Sequence, residues 1–252
     1  MIDYHCHILP GLDDGPSTLD ESIQMAKILS AAGYSTVYCT PHKVKNLYDK
    51  TNEEVYQSIK NMQRELCRQG IALRLLAGRE YILDNYFLEY INDLMPLEGT
   101  NYLLIEIPSG SYQGMILDSI TAILHKGLTP MIAHPERCRI LADHRSNKIP
   151  KSLSFLKRNS ICAKMLLEYS YQHIDLLEWL LHIDCAFQCN AGSLSGTYGR
   201  FVQKVAQRFL NNGMYTHFGT DAHNPIFLEK LNHNLKPIKS KQTEIYSSLA
   251  FE

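Results

Sequence analysis

Residues 125–136, HKGLTPMIAHPE, hold the pattern on which the fold turns. Gly127 closes a helix-like stretch, at the position where left-handed backbone caps a last turn. A short apolar run over 129–133 follows, as a buried parallel strand reads. A chemically active side chain, His134, comes next. The same grammar recurs in AAGYSTVYCTPH (31–42), RQGIALRLLAGRE (68–80) and NNGMYTHFGTDAH (211–223). Each joins a glycine, an apolar run and a His, Glu or Asp.

Apolar residues at helical spacing mark the stretches between the strands: Leu19, Ile23, Ala26 and Leu29; Val55, Ile59, Met62 and Leu66; Ile116, Ile120 and Ile123; Phe201, Val205 and Phe209. Thr18 with Glu21 and Thr51 with Glu54 read as capping boxes at two helix starts. Strands are predicted near 2–7, 35–40, 72–79, 102–107, 129–133, 185–189 and 214–219. Such alternation implies a parallel α/β fold. No glycine-rich loop follows the first strand, which disfavours a Rossmann-type sheet. The 252 residues match the size of a (β/α) barrel, about 250, with roughly seven strands where eight is usual. The expectation is a single domain over 1–252, folded as a distorted (β/α)7 TIM-like barrel.

Hydrophobic residues make up 45 % of the chain, enough for a sizeable core. With 25 basic and 26 acidic residues the formal net charge is -1, so no global field attracts nucleic acid or an anionic membrane. No apolar run approaches the roughly 20 residues of a membrane span, and no secretory leader is read at the start. These features predict a cytoplasmic protein with reduced thiols, without nucleic-acid binding or membrane insertion. The seven cysteines include no Cys-x-x-Cys pair; Cys185 and Cys189 read as strand packing.

The chemistry lies at the strand ends. Alternate residues of a strand face one side, so His5 and His7 point together and Cys6 points away. His42, Glu80, Glu106 and His134 end the next four strands, Asp221 and His223 follow the last, and Asp14 lies in the first loop. A barrel gathers all strand C-termini on one face, so five histidines and four carboxylates converge. Carboxylates packed without cations would repel and shift upward in pKa. Imidazole and carboxylate ligands suit Mn, Fe or Zn, and nine of them can hold two or three ions. The other histidines, His125, His144, His173, His182, His217 and His233, are assigned to surfaces or packing. Taken singly, each candidate ligand has a plain structural role available to it; the coincidence across strands carries the reading.

DYHCHILPGLDDGP, TPH, GRE, IAHPER, NAGSLSG and TDAHN together resemble the polymerase and histidinol phosphatase (PHP) superfamily. More narrowly, they resemble the bacterial manganese-dependent tyrosine-protein phosphatases of capsule and exopolysaccharide operons, the CpsB/YwqE type. His-x-His alone is weak; HILPGLDDGP with HPER is specific. The resemblance runs from Met1 to about Asn224. It implies a distorted (β/α)7 barrel with three metals: His5, His7, Glu80 and Asp221 on one, Glu80, Glu106 and His134 on a second, Asp14, His42 and His223 on a third. Mn2+ is the implied ion, and Arg137 matches the phosphate-holding arginine. The implied substrate is phosphotyrosine on a cognate tyrosine kinase, typically in a tyrosine-rich tail.

Two departures stand out. DAHNPIFLEKLN lacks the arginine such proteins carry there, leaving Arg200, Lys43 or Lys230 to cover its role. The stretch between HPER and NAGSL is longer than expected, by about one helix within 150–183. Lys43 and Lys45 could attract an acidic peptide, although two nearby lysines also suit a solvated loop. Metals lower the pKa of bound water to about 7; the hydroxide would attack phosphorus in line while Arg137 neutralises phosphoryl charge. Tyrosine, with a pKa of about 10, leaves without a strong general acid. No cysteine has an arginine six positions later and no Gly-x-Ser-x-Gly is present, which excludes a Cys-x5-Arg phosphatase and disfavours an elbow-type serine hydrolase. The rivals are another PHP phosphoesterase, acting on histidinol phosphate or DNA ends, and a non-catalytic kinase-binding module.

Overall fold

The computed structural model describes residues 1–142 and 175–234. Nine strands and eight helices alternate along them. The first half runs β1 (Ile2–Cys6), α1 (Leu19–Ala31), β2 (Thr36–Cys39), β3 (His42–Lys43), α2 (Asn52–Arg68), β4 (Arg74–Ala77), β5 (Glu80–Ile82), β6 (Tyr102–Glu106), α3 (Gln113–His125), β7 (Thr129–Ala133) and α4 (Arg139–Ala142). The second half runs α5 (Leu176–His182), β8 (Ala186–Asn190), α6 (Ala191–Ser195), α7 (Gly199–Asn211), β9 (His217–Gly219) and α8 (Pro225–Asn234).

The strands pair parallel throughout, in a three-stranded sheet ordered β1-β2-β4 and a six-stranded sheet ordered β3-β5-β6-β7-β8-β9. The predicted strand over 35–40 is therefore followed by a separate piece, β3, and that over 72–79 by β5. Pro41 has no N–H to donate and interrupts the first. At the second break the buried Arg79 guanidinium turns to the carbonyls of Lys50 and Thr51. Backbone bonds also join β1 to the segment after β9: the Asp221 N–H donates to the His5 carbonyl at 2.7 Å, and the His7 N–H donates to the Ala222 carbonyl at 3.0 Å.

Helix starts follow the sequence. Both capping boxes form, Thr18 with Glu21 and Thr51 with Glu54. Val55, Ile59, Met62 and Leu66 are all buried on one face of α2. Leu19 and Phe201 are exposed, because each begins its helix before the apolar face has rotated onto the sheet. Gly127 ends α3 with φ +74°, the left-handed cap that its position required. In β6 and β7, Leu103, Ile105 and Ile132 face α3 and join Ile116, Ile120 and Ile123 in the largest core cluster. Leu104, Met131 and Ala133 face the opposite way into a small inner cluster with Tyr38 and Ala186. Each fully buried Leu or Ile contributes about 1.5–3 kcal/mol, so both faces of the sheet are committed. His217 packs edge-on against Tyr4 and Tyr102. Cys185 and Cys189 are buried free thiols. Most of the extra segment over 150–183, with His144 and His173, lies outside the described residues; its last part is α5. No helix among the described residues is long and apolar enough to cross a membrane.

Candidate metal centre

The strand C-termini bring the predicted ligands together. His5 and His7 lie on one side of β1 with their Nε2 atoms 3.1 Å apart, while Cys6 turns away into the cluster beneath α1 and α2. Glu80, fully buried at the start of β5, is the hub. Its Oε2 lies 3.1 Å from His5 Nε2, 3.3 Å from His7 Nε2 and 3.1 Å from His42 Nδ1. Its Oε1 lies 3.1 Å from His134 Nε2. Asp221 Oδ1 approaches His5, His7 and His223 at 3.4, 3.5 and 3.7 Å. Asp14 Oδ1 lies 3.7 Å from His42 Nε2 and 3.5 Å from His223 Nε2.

These atoms form three overlapping groups whose ligand atoms all fall within 4.8 Å of one another: His5, His7, Glu80 and Asp221; His7, Asp14, His42 and His223; and His42, Glu80 and Glu106. The first has the membership that the resemblance implies. The next adds His7 to the implied set. In the remaining one His42 stands where His134 was expected, and His134 meets Glu80 on its other oxygen.

Whether cations fit is decided by Glu80 Oε2 and His42 Nδ1. Both atoms are buried, both lack a hydrogen bond, and they stand 3.1 Å apart. A buried polar atom left unpaired is costly, and lone pairs facing one point without hydrogen-bond geometry suit a cation. The charges agree. Burial opposes ionisation of Glu80, yet His5 and His42 hold it well below the usual carboxylate range. Burial opposes a charged His5, yet Glu80 and Asp221 raise it to about 9. The carboxylates thus draw positive charge into the site.

The backbone is bent to this purpose. His134 and Asp221 have φ of 31° and 52°, uncommon values for residues other than glycine, which Asn, Asp and His adopt most readily. Arg137, in the one-turn 3-10 helix Pro135–Arg137, donates from Nη1 to Asp221 Oδ2 at 2.6 Å. Its guanidinium lies over the Tyr198 ring, 4.6 Å from the centroid. Lys43 is engaged: Nζ sits 2.5 Å from Asp49, donates to the Lys50 carbonyl at 3.0 Å and lies over Tyr90. Lys45 pairs with Glu89. Arg200 is exposed on the first turn of α7.

Four contributors escaped the sequence reading. Asp13 takes the His7 Nδ1 bond at 2.7 Å, Gln188 Oε1 lies 2.9 Å from His5 Nδ1, and Asn190 Nδ2 donates to Asp221 Oδ2 at 2.7 Å. Tyr198 supports Arg137. Gln188 and Asn190 carried a signal: two amides in the otherwise apolar strand AFQCN.

The chain is similar to known tyrosine-protein phosphatases. Tyrosine-protein phosphatase YwqE of Bacillus subtilis is 28 % identical over 226 residues, covering 89 % of this chain and 78 % of that protein. Tyrosine-protein phosphatase CpsB of Streptococcus pneumoniae is 25 % identical over 232 residues, covering 89 % and 83 %. A crystal structure reported for YwqE of Bacillus subtilis and CpsB of Streptococcus pneumoniae, described as unique metal-dependent tyrosine phosphatases, superposes with a TM-score of 0.69 at 28 % identity, over 89 % of this chain and 80 % of that one. The family of capsular polysaccharide synthesis, CpsB/CapC, matches residues 1–153 and 168–248, leaving a gap inside the long segment after HPER, and the chain belongs to that family.

Proposed function

We propose that this chain is a metal-dependent protein-tyrosine phosphatase that hydrolyses phosphotyrosine on a bacterial tyrosine kinase within capsule or exopolysaccharide synthesis. The observation that carries the reading is the convergence of three imidazole nitrogens on Glu80 Oε2, with that oxygen and His42 Nδ1 left without a hydrogen bond, beside an arginine. The strand bonds support a seven-stave ring: β2 with β3 and β4 with β5 as two broken staves, closed by the bonds His7 N–H to the Ala222 carbonyl and Asp221 N–H to the His5 carbonyl, which join β1 to the segment after β9. The chain acts as one PHP-type domain in the cytoplasm.

His5, His7, Asp14, His42, Glu80, Glu106, His134, Asp221 and His223 would hold two or three ions, with Mn2+ the assigned metal. Bound there, they supply Lewis-acid charge and lower the pKa of water toward neutrality. Arg137 takes the phosphoryl oxygens, exchanging its bond to Asp221 for the substrate. A water oxygen bonds to phosphorus and gives up a proton to solvent, the bond between phosphorus and the phenolic oxygen breaks, and the phenolate leaves and takes a proton from solvent. Its pKa of about 10 makes a strong acid unnecessary. Arg200 is assigned the second phosphate contact in preference to Lys43, which is already neutralised by Asp49.

The test is metal content of the purified chain beside turnover of a phosphotyrosine peptide. Activity removed by EDTA, restored by Mn2+ and greater than that on histidinol phosphate or DNA ends is expected. A fully metal-loaded chain with no turnover would instead leave a kinase-binding module.

A further inference from the structure

We infer that Asp13, not itself a metal ligand, is the positioning residue of the cluster: its carboxylate sets the ring of His7 and the backbone of His42 so that both face the cations. This rests on the metal reading above. Asp13 and Asp14 are adjacent, yet their environments differ completely. The Asp14 side chain is 49 % exposed; that of Asp13 is 1 % exposed. Asp13 Oδ2 accepts from the His7 ring at Nδ1, 2.7 Å away, and from the His42 backbone N–H at 2.9 Å. Its Oδ1 accepts from the Gly15 N–H at 2.9 Å. Asp13 belongs to none of the three ligand groups among the described residues.

The two residues it holds are the histidines shared between groups. His7 belongs to the groups built around Asp221 and around Asp14, and His42 to those built around Asp14 and Glu106. With Nδ1 committed to Asp13, His7 presents Nε2 to Glu80 and Asp221. A carboxylate behind an imidazole fixes the tautomer and strengthens the other nitrogen as a donor. His5, which serves one group only, is backed by the neutral amide of Gln188 instead. The charged support therefore stands behind the histidine that two cation positions draw upon.

Asp13→Asn keeps the size but removes the charge and one acceptor oxygen. On the full chain stripped of metal, Mn2+ affinity and stoichiometry would be read by competition with a chelating dye. Binding about 10- to 100-fold weaker, with a metal-free Tm close to that of the parent, is expected. Long-range 1H–15N spectra of the zinc-loaded parent would show His7 protonated at Nδ1 and bound through Nε2. Unchanged Mn2+ affinity in the folded variant overturns the inference. So does a parent His7 protonated at Nε2, whatever the variant does. A parent that binds no Mn2+ overturns the metal reading as well.

Discussion

Arg137 Nη1 lies 2.6 Å from Asp221 Oδ2, and the other oxygen of the same carboxylate faces His5 and His7 at 3.4 and 3.5 Å. One side chain thus stands between the imidazole cluster and the cation best placed to receive an anion. In the proposed exchange of Arg137 from Asp221 to a phosphate, Asp221 Oδ2 would keep the Asn190 Nδ2 bond, at 2.7 Å, so the exchange would leave no orphaned buried oxygen. Arg137→Ala is expected to lower kcat/KM on para-nitrophenyl phosphate about 100- to 1000-fold, the usual effect of losing a donor aimed at developing charge. Arg137→Lys keeps the charge without the fork and recovers part of it. Steady-state rates at saturating Mn2+ check this; an Ala variant within threefold of the parent would remove Arg137 from the chemistry.

Tyr198 supports that arginine through its ring, with the guanidinium 4.6 Å from the centroid. Such a contact contributes about 0.5–2 kcal/mol. Tyr198→Leu is therefore expected to raise KM about threefold to thirtyfold with kcat little changed, whereas Tyr198→Phe keeps the ring and stays near the parent. Equal KM values for Leu and Phe variants would reduce Tyr198 to packing.

How much of this was written in the chain can be judged residue by residue. The period of two in DYHCH places His5 and His7 together, and the glycine-strand-ligand grammar places Glu80, His134 and Asp221, because both follow from local geometry. Which of Asp13 and Asp14 faces inward depends on how the turn lies against the His42 backbone, a contact between distant segments. Gln188 and Asn190 lie outside that grammar, because their strand ends in no His, Glu or Asp. Lys43 read as a free cation since nothing local shows that the loop folds back to bring Asp49 onto it. The break at Pro41 was legible; the one beside Arg79 depends on carbonyls of the loop before α2.

β9 approaches β1 so closely that Gly219 admits no side chain. A Cβ there would stand 2.5 Å from His5 Cβ and 2.9 Å from the His5 nitrogen and Gln188 Nε2. Overpacking of this kind costs about 1–3 kcal/mol. Gly219→Ala is expected to lower Tm by about 3–10 °C and to weaken metal uptake, since His5 must shift. Gly110→Ala, where a Cβ meets nothing within 4 Å, is the control and should melt with the parent. Coincident melting of all three proteins would contradict the tight junction.

Acid stability gives a test remote from the metal cluster. Burial among Tyr4 and Tyr102 lowers the pKa of His217 from 6.5 to about 4. Between those values an unfolded chain binds a proton that the folded ring refuses. The contribution is therefore fully present above pH 6.5 and is lost as the pH falls toward 4, reaching about 3 kcal/mol. His217→Phe fills the same aromatic niche without titrating. Urea unfolding of the metal-free parent and variant, at steps between pH 7 and pH 4, is expected to show the parent losing more stability, by up to that amount. Because every other titrating group is common to both proteins, parallel curves over that interval would mean that His217 protonates in the folded state as easily as in the unfolded one.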